Sequence, residues 1–179
     1  MKMFLKRLLI LLCSIVVMAP IAYAQKKGID YEFDNEKPWV EIQAELPPYP
    51  QTENLLKFDA GPASDNSHYV DAPSISLGED AVVRFTLVTK SPSGATNVSY
   101  EGIRCQTAEK RTYAYGRNNG TWMQARVSKW VNLENIAQNY PQRALYRYFF
   151  CPLGVDMIAD ADEAIRALKA GVHPRAVKY

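Results

Sequence analysis

Two cysteines and one short run of arginines and aromatics are the residues whose types and spacing carry chemistry. Cys105 and Cys151 lie far apart in the chain, neither belongs to a Cys-x-x-Cys pair, and neither has a histidine beside it. A redox or nucleophilic cysteine needs such neighbours to make a thiolate at neutral pH. In an exported chain, pairing is the default, so Cys105 and Cys151 are expected as a structural disulfide. Closing a loop of that length stabilises by roughly 4 kcal/mol in the chain-entropy account. The second group is Arg111, Tyr113, Tyr115 and Arg117, which alternate with Thr112, Ala114 and Gly116. On a strand of strict period two, the four larger side chains share one side. Trp122, Arg126 and Trp130 follow after Asn118-Asn119-Gly120 and join the same candidate binding face if the chain turns back there. Guanidinium forks and aromatic rings together suit anionic glycans or single-stranded nucleic acid. Arginine stems laid over half-buried tyrosines on a sheet explain the same pattern without a ligand.

Acid–base and metal chemistry find little support. His68 and His173 are the only histidines, neither sits in a spaced ligand motif, and both are expected at the surface. Asp156, Asp160, Asp162 and Glu163 cluster, but carboxylates in a first helical turn answer the free backbone N–H groups and the helix dipole. The chain has no Gly-rich phosphate loop and no Gly-x-Ser-x-Gly elbow. No catalytic residue, metal or cofactor is therefore expected.

The elements that must position these groups are mostly strands. Trp39–Ala44 is a short strand candidate ended by Pro47-Pro48 and Pro50, and Asn54–Ala60 is a second. Residues 61–74 carry turn chemistry broken only by Tyr69-Val70. After the Gly78-Glu79-Asp80 turn, Ala81–Lys90 has branched or aromatic residues on both faces, the pattern of a strand covered on both sides. Ser91–Gly94 reverses the chain into Thr96–Thr107, which makes a hairpin. Arg111–Arg117 and Thr121–Val131 form another hairpin about the Asn-Gly step, with Trp122, Gln124, Arg126, Ser128 and Trp130 on one face. Asn139-Tyr140-Pro141 starts a helix that Pro152 stops, although Tyr146, Tyr148 and Phe150 also alternate as in a strand. The last helix opens on a capping box of Asp160 and Glu163, carries Ile165 and Leu168 as a small apolar face, and closes at Gly171 and Pro174.

The first 24 residues have the three parts of a cleavable signal peptide: Lys2, Lys6 and Arg7, then the apolar run Leu8–Ala19, then Ala22-Tyr23-Ala24. That run is too short to span a bilayer, which takes about 20 apolar residues. Cys13 follows Ile10-Leu11-Leu12, where a lipoprotein would place a small residue. Three of the 21 basic residues and none of the 19 acidic ones fall in the leader, so 18 positive charges face 19 negative ones in the mature chain. A net charge of −1 removes any whole-molecule attraction to nucleic acid or an anionic membrane, and makes nucleic acid an unfavoured partner.

The runs Ser91–Cys105 (SPSGATNVSYEGIRC), Gly120–Trp130 (GTWMQARVSKW) and Tyr148–Pro152 (YFFCP) resemble the CNP-one-like family of exported Gram-negative proteins. The resemblance covers roughly residues 38–152. It implies periplasmic placement and a shared domain, and it transfers no catalytic residue. The chain is thus divided into a signal peptide (1–24), an N-terminal arm (25–37), one β-rich domain (38–152) and a C-terminal helix and tail (153–179). The expected fold is α+β: a mainly antiparallel sheet of five to seven strands, curved or partly closed, with one or two C-terminal helices and one disulfide. The expected function is a non-catalytic periplasmic envelope module that binds another envelope component, an envelope protein or anionic glycan, or supports envelope assembly. A hydrolase acting on a cell-wall or polyanionic substrate is the rival class.

Overall fold

The computed structural model describes residues 38–62, 65–154 and 157–176, so the expected leader and arm lie outside the described residues. Seven strands make one open antiparallel sheet: β1 Leu55–Phe58, β2 Ser67–Leu77, β3 Val82–Lys90, β4 Thr96–Arg104, β5 Glu109–Gly116, β6 Trp122–Gln124 and β7 Val131–Asn132. They are hydrogen-bonded in chain order from β1 to β6, and β7 pairs with the start of β5. Two helices follow. α1 is Tyr140–Leu145, continued by a π-helical turn over Tyr146–Phe150, and α2 is Ala161–Ala170.

The sheet centre follows from sequence pattern. Val82–Val88 of β3 is buried at every position, as a strand covered on both faces must be. β3 and β4 pair without a slip from Val82↔Arg104 to Lys90↔Thr96 around the Ser91–Gly94 turn. On one face Val83, Phe85, Leu87 and Ile103 join Phe58, Val70, Leu145, Phe149, Phe150, Ile158 and Leu168 in the apolar core beneath the helices. Phe85 stacks against Phe150 with centroids 5.2 Å apart. Cys105, one residue past β4, is bonded to Cys151 just after the π-helical turn, so the disulfide ties the sheet to its helical cover.

The segment 140–150 is helical, which resolves its double pattern. Pro141 sits in the first turn, where its missing N–H is harmless, and Cys151 leaves helical geometry before Pro152. Asp160 accepts from Glu163 N at 2.7 Å and Gly171 takes the left-handed conformation at φ 80°, so α2 has the expected caps. Glu163 Oε2 answers Ala159 N, one residue before the cap.

Three strand expectations are corrected. Residues 61–74 are not all turn: β2 runs from Ser67 through Pro73 to Leu77. Proline fits because the register slips between Asp71 and Ser76, leaving residues 72–75 outside the regular ladder. Ser74 Oγ fills the gap by accepting from Thr86 N and donating to Asp71 O. Residues 39–44 form no strand; they cross the other face of the sheet as a strap in which the backbone N–H and carbonyl of Ile42 bond to side chains. Thr121–Val131 is likewise broken into β6 and β7, because Ser128 Oγ, not a backbone N–H, donates to Thr112 O.

Candidate functional site

The strap lies over the face of the sheet that the helices leave open. Glu41 is its pivot. The Glu41 carboxylate accepts from Arg111 Nη1, from Tyr113 OH at 2.8 Å and from Trp130 Nε1 at 2.9 Å. Behind it stands Arg84, the lone cation in the apolar run of β3, with Nη2 4.0 Å from Glu41 Oε1 and 2.5 Å from Asp80 Oδ2. Asp80 and Arg84 together hold the backbone of Ile42: its N–H donates to Asp80 Oδ2 and its carbonyl accepts from Arg84 Nη2, each at 2.8 Å. Trp39 extends the strap, donating to Asp80 O and packing edge-on against Trp130, while the Arg104 guanidinium lies 4.1 Å from the Trp39 ring centre. Two guanidinium groups thus meet two carboxylates, and the charges balance.

The electrostatics follow from that arrangement. Burial alone pushes the Asp80 carboxyl up, but the Arg84 guanidinium and the Ile42 N–H outweigh it and hold Asp80 below the usual carboxylate range. Burial raises the Tyr113 phenol, and its bond to the Glu41 carboxylate raises it further, so it remains a donor. Gly102 makes room for that ring: a Cβ there would stand 2.6 Å from Tyr113 OH.

Of the expected face, Arg111, Tyr113 and Trp130 converge on Glu41. Trp122 sits farther along the same side, donating to Pro47 O and tilting against Tyr49 and Tyr100. Tyr115, Arg117 and Arg126 are not gathered with them. The strict alternation expected of β5 fails at a bulge, since Tyr100 pairs with Ala114 and Glu101 with Thr112, so Tyr113 has no partner opposite. Beyond the bulge Tyr115 pairs with Ser99, on the face that carries Glu101 and Gln142, and it is exposed. Arg117 lies past the end of β5 in the turn closed by Gly120 at φ 77°, and Arg126 is exposed in the loop after β6.

Sequence reasoning missed Glu41, Asp80 and Arg84. The signal was Arg84 itself: a guanidinium inside a strand buried on both faces requires a carboxylate. Beside the strap lies an open cleft of about 530 Å3, lined by Glu41–Ala44, Leu46, Arg111, Tyr113, Gln124, Ala125 and Ser128.

Elsewhere the structure corrects the histidines, both of which are buried. His68 meets Thr89 Oγ1 at 3.1 Å, and burial lowers its pKa. His173 Nε2 contacts Glu163 Oε1 at 2.9 Å, tying the tail to α2. Among the described residues no three His, Cys, Asp or Glu side chains gather to hold a metal, and no helix is long and apolar enough to cross a membrane. Asp156, from the acidic group expected at α2, lies outside the described residues.

Fold and site define an α+β domain whose open antiparallel sheet is covered by helices on one face and by a polar strap on the other. The chain belongs to the CNP1-like family, whose profile matches residues 34–169 and so reaches past Pro152 through most of α2. It is 28% identical over 148 residues to Cryptic neisserial protein 1 of Neisseria gonorrhoeae (strain ATCC 700825 / FA 1090), covering 72% of this chain and 70% of that protein. No solved structure matches it.

Proposed function

We propose that this chain is an exported, periplasmic, non-catalytic binding module of the cell envelope, and that its ligand enters the cleft between the strap and the β5–β6 hairpin. The observation that carries the reading is the pairing of an open polar cleft with carboxylates that are already committed. Glu41 and Asp80 both lie against Arg84, so two carboxylates stand together as in a hydrolase. Yet the Asp80 side chain is fully buried and held ionised, whereas a general acid needs a raised pKa and access to substrate. Arg111 remains at the cleft wall as an anion contact. The leader and the disulfide support export.

Filling the cleft tests the reading. Immobilised mature protein and an Ala125→Trp variant are exposed to the same envelope extract, and bound components are identified by mass spectrometry. A component held by the first and lost by the second is expected. Equal capture by both, or cleavage of purified cell wall by the wild type, overturns it.

A further inference from the structure

The donors around Glu41 belong to the sheet and its loops, and the carboxylate they hold belongs to the strap. Arg111 and Tyr113 are on β5, Trp130 precedes β7, and Arg84 is on β3. Without Glu41, two guanidinium groups would face Asp80 alone, and a half-buried excess positive charge calls for an anion. The site therefore has the make-up of a carboxylate receptor filled from within the chain. The same strap shows which kind of carboxylate it takes. Asp80 and Arg84 read both the N–H and the carbonyl of Ile42, the residue after the acid, so the receptor recognises an amide backbone as well as a charge. A sugar acid offers no such pair of groups in register with its carboxylate.

Beyond the cradle, the strap is fastened at its start by Trp39, which donates to Asp80 O and packs against Trp130 and Arg104. Past Trp39 it makes no ladder with a strand, and its apolar side chains are exposed: Val40 76%, Ile42 46% and Leu46 45%. Little apolar burial there opposes its lifting. We propose that the cradle of Arg84, Arg111, Tyr113 and Trp130 is a receptor for an acidic, extended peptide segment of a partner protein, with the strap as its resident competitor. This deepens the binding reading above and rests on it. A tethered strap competes at an effective concentration on the order of millimolar, so the partner segment gains access as the strap lifts into the open cleft alongside.

The probe is a fluorescein-labelled peptide with the sequence of residues 38–46, PWVEIQAEL, followed by fluorescence anisotropy with the full mature chain. Glu41→Ala weakens the resident strap and should bind the peptide at least about tenfold more tightly than the wild type does. Adding Arg111→Met, or changing the peptide glutamate that corresponds to Glu41 to glutamine, should abolish the gain. Should Glu41→Ala not fold by circular dichroism, Glu41→Gln takes its place with the same expectation. Equal binding by variant and wild type, indifference to the peptide glutamate that corresponds to Glu41, or displacement by dextran sulfate but not by unlabelled peptide overturns the proposal. The Ala125→Trp capture experiment separates the two claims. Peptide binding with equal capture refutes only the envelope reading, and selective capture without peptide binding refutes only the receptor.

Discussion

The two faces of the sheet are closed by different physics. Beneath the helices, Phe85, Phe149, Phe150, Ile103 and Leu145 are almost wholly buried, and a covalent bond between Cys105 and Cys151 locks the cover in place. On the strapped face, four charged side chains and the Trp39–Trp130 pair do the holding, and Val40, Ile42 and Leu46 face outward. Apolar burial is non-directional and needs the whole cover to leave at once, whereas a charged cradle accepts any group of the right charge and shape. The difference teaches that the helical face is held by apolar burial and a covalent tie, and the strapped face by directed polar contacts.

Breaking the helical face should have the largest effect. Phe150→Ala removes a fully buried ring from against Phe85 and should cost about 3–5 kcal/mol, read as a lower midpoint in urea unfolding. Replacing Cys105 and Cys151 together by serine should cost a few kcal/mol, about 2–4, by releasing the unfolded chain, and non-reducing peptide mapping of the wild type should show the pair joined. Two free thiols in that map would remove the distinction between the faces.

On the strapped face, Gly78→Ala is the sharper probe. A Cβ there would stand 2.1 Å from Asp80 Oδ1 and 2.6 Å from Arg84 Nη1, so the pair that holds Ile42 must shift. We expect a smaller loss, about 1–3 kcal/mol, as buried polar groups lose partners, with the sheet intact by circular dichroism.

Acid should separate the faces as well. His68 stacks on Phe58 of the helix-covered core, and burial lowers its pKa, so the unfolded chain binds its proton first. Stability should therefore fall as pH drops through the ordinary imidazole value of 6.5, and His68→Gln should flatten that fall. Asp80 has its folded pKa lowered, so its contribution is intact above the usual carboxylate range and is lost only in stronger acid. Denaturant titrations at a series of pH values read both windows.

Local pattern made most of the helical face legible. The β3–β4 hairpin, the caps of α2 and the cysteine pair all rest on neighbours in sequence or on compartment, and each was visible in residue types alone. The strapped face rests on side chains that bond to distant backbone, which leaves no period to read. Trp39–Ala44 has strand-forming residues, yet Asp80 and Arg84 take the backbone bonds of Ile42. Pro73 resembles a strand breaker until Ser74 Oγ stands in for a backbone carbonyl. The bulge at Tyr113 separates Tyr115 from Arg111, and no local feature of β5 announces it. Arg111, Tyr113 and Trp130 were found as a group, but the carboxylate that organises them lies some 70 residues earlier.

Hydrogen exchange followed by mass spectrometry tests the contrast between the faces most directly. In the wild type, peptides covering residues 39–46 should exchange through local opening, well ahead of those covering residues 82–104. In Glu41→Gln the strap should lose protection further while β3 and β4 keep theirs. A strap that exchanges only with the whole sheet, in both proteins, would contradict the account.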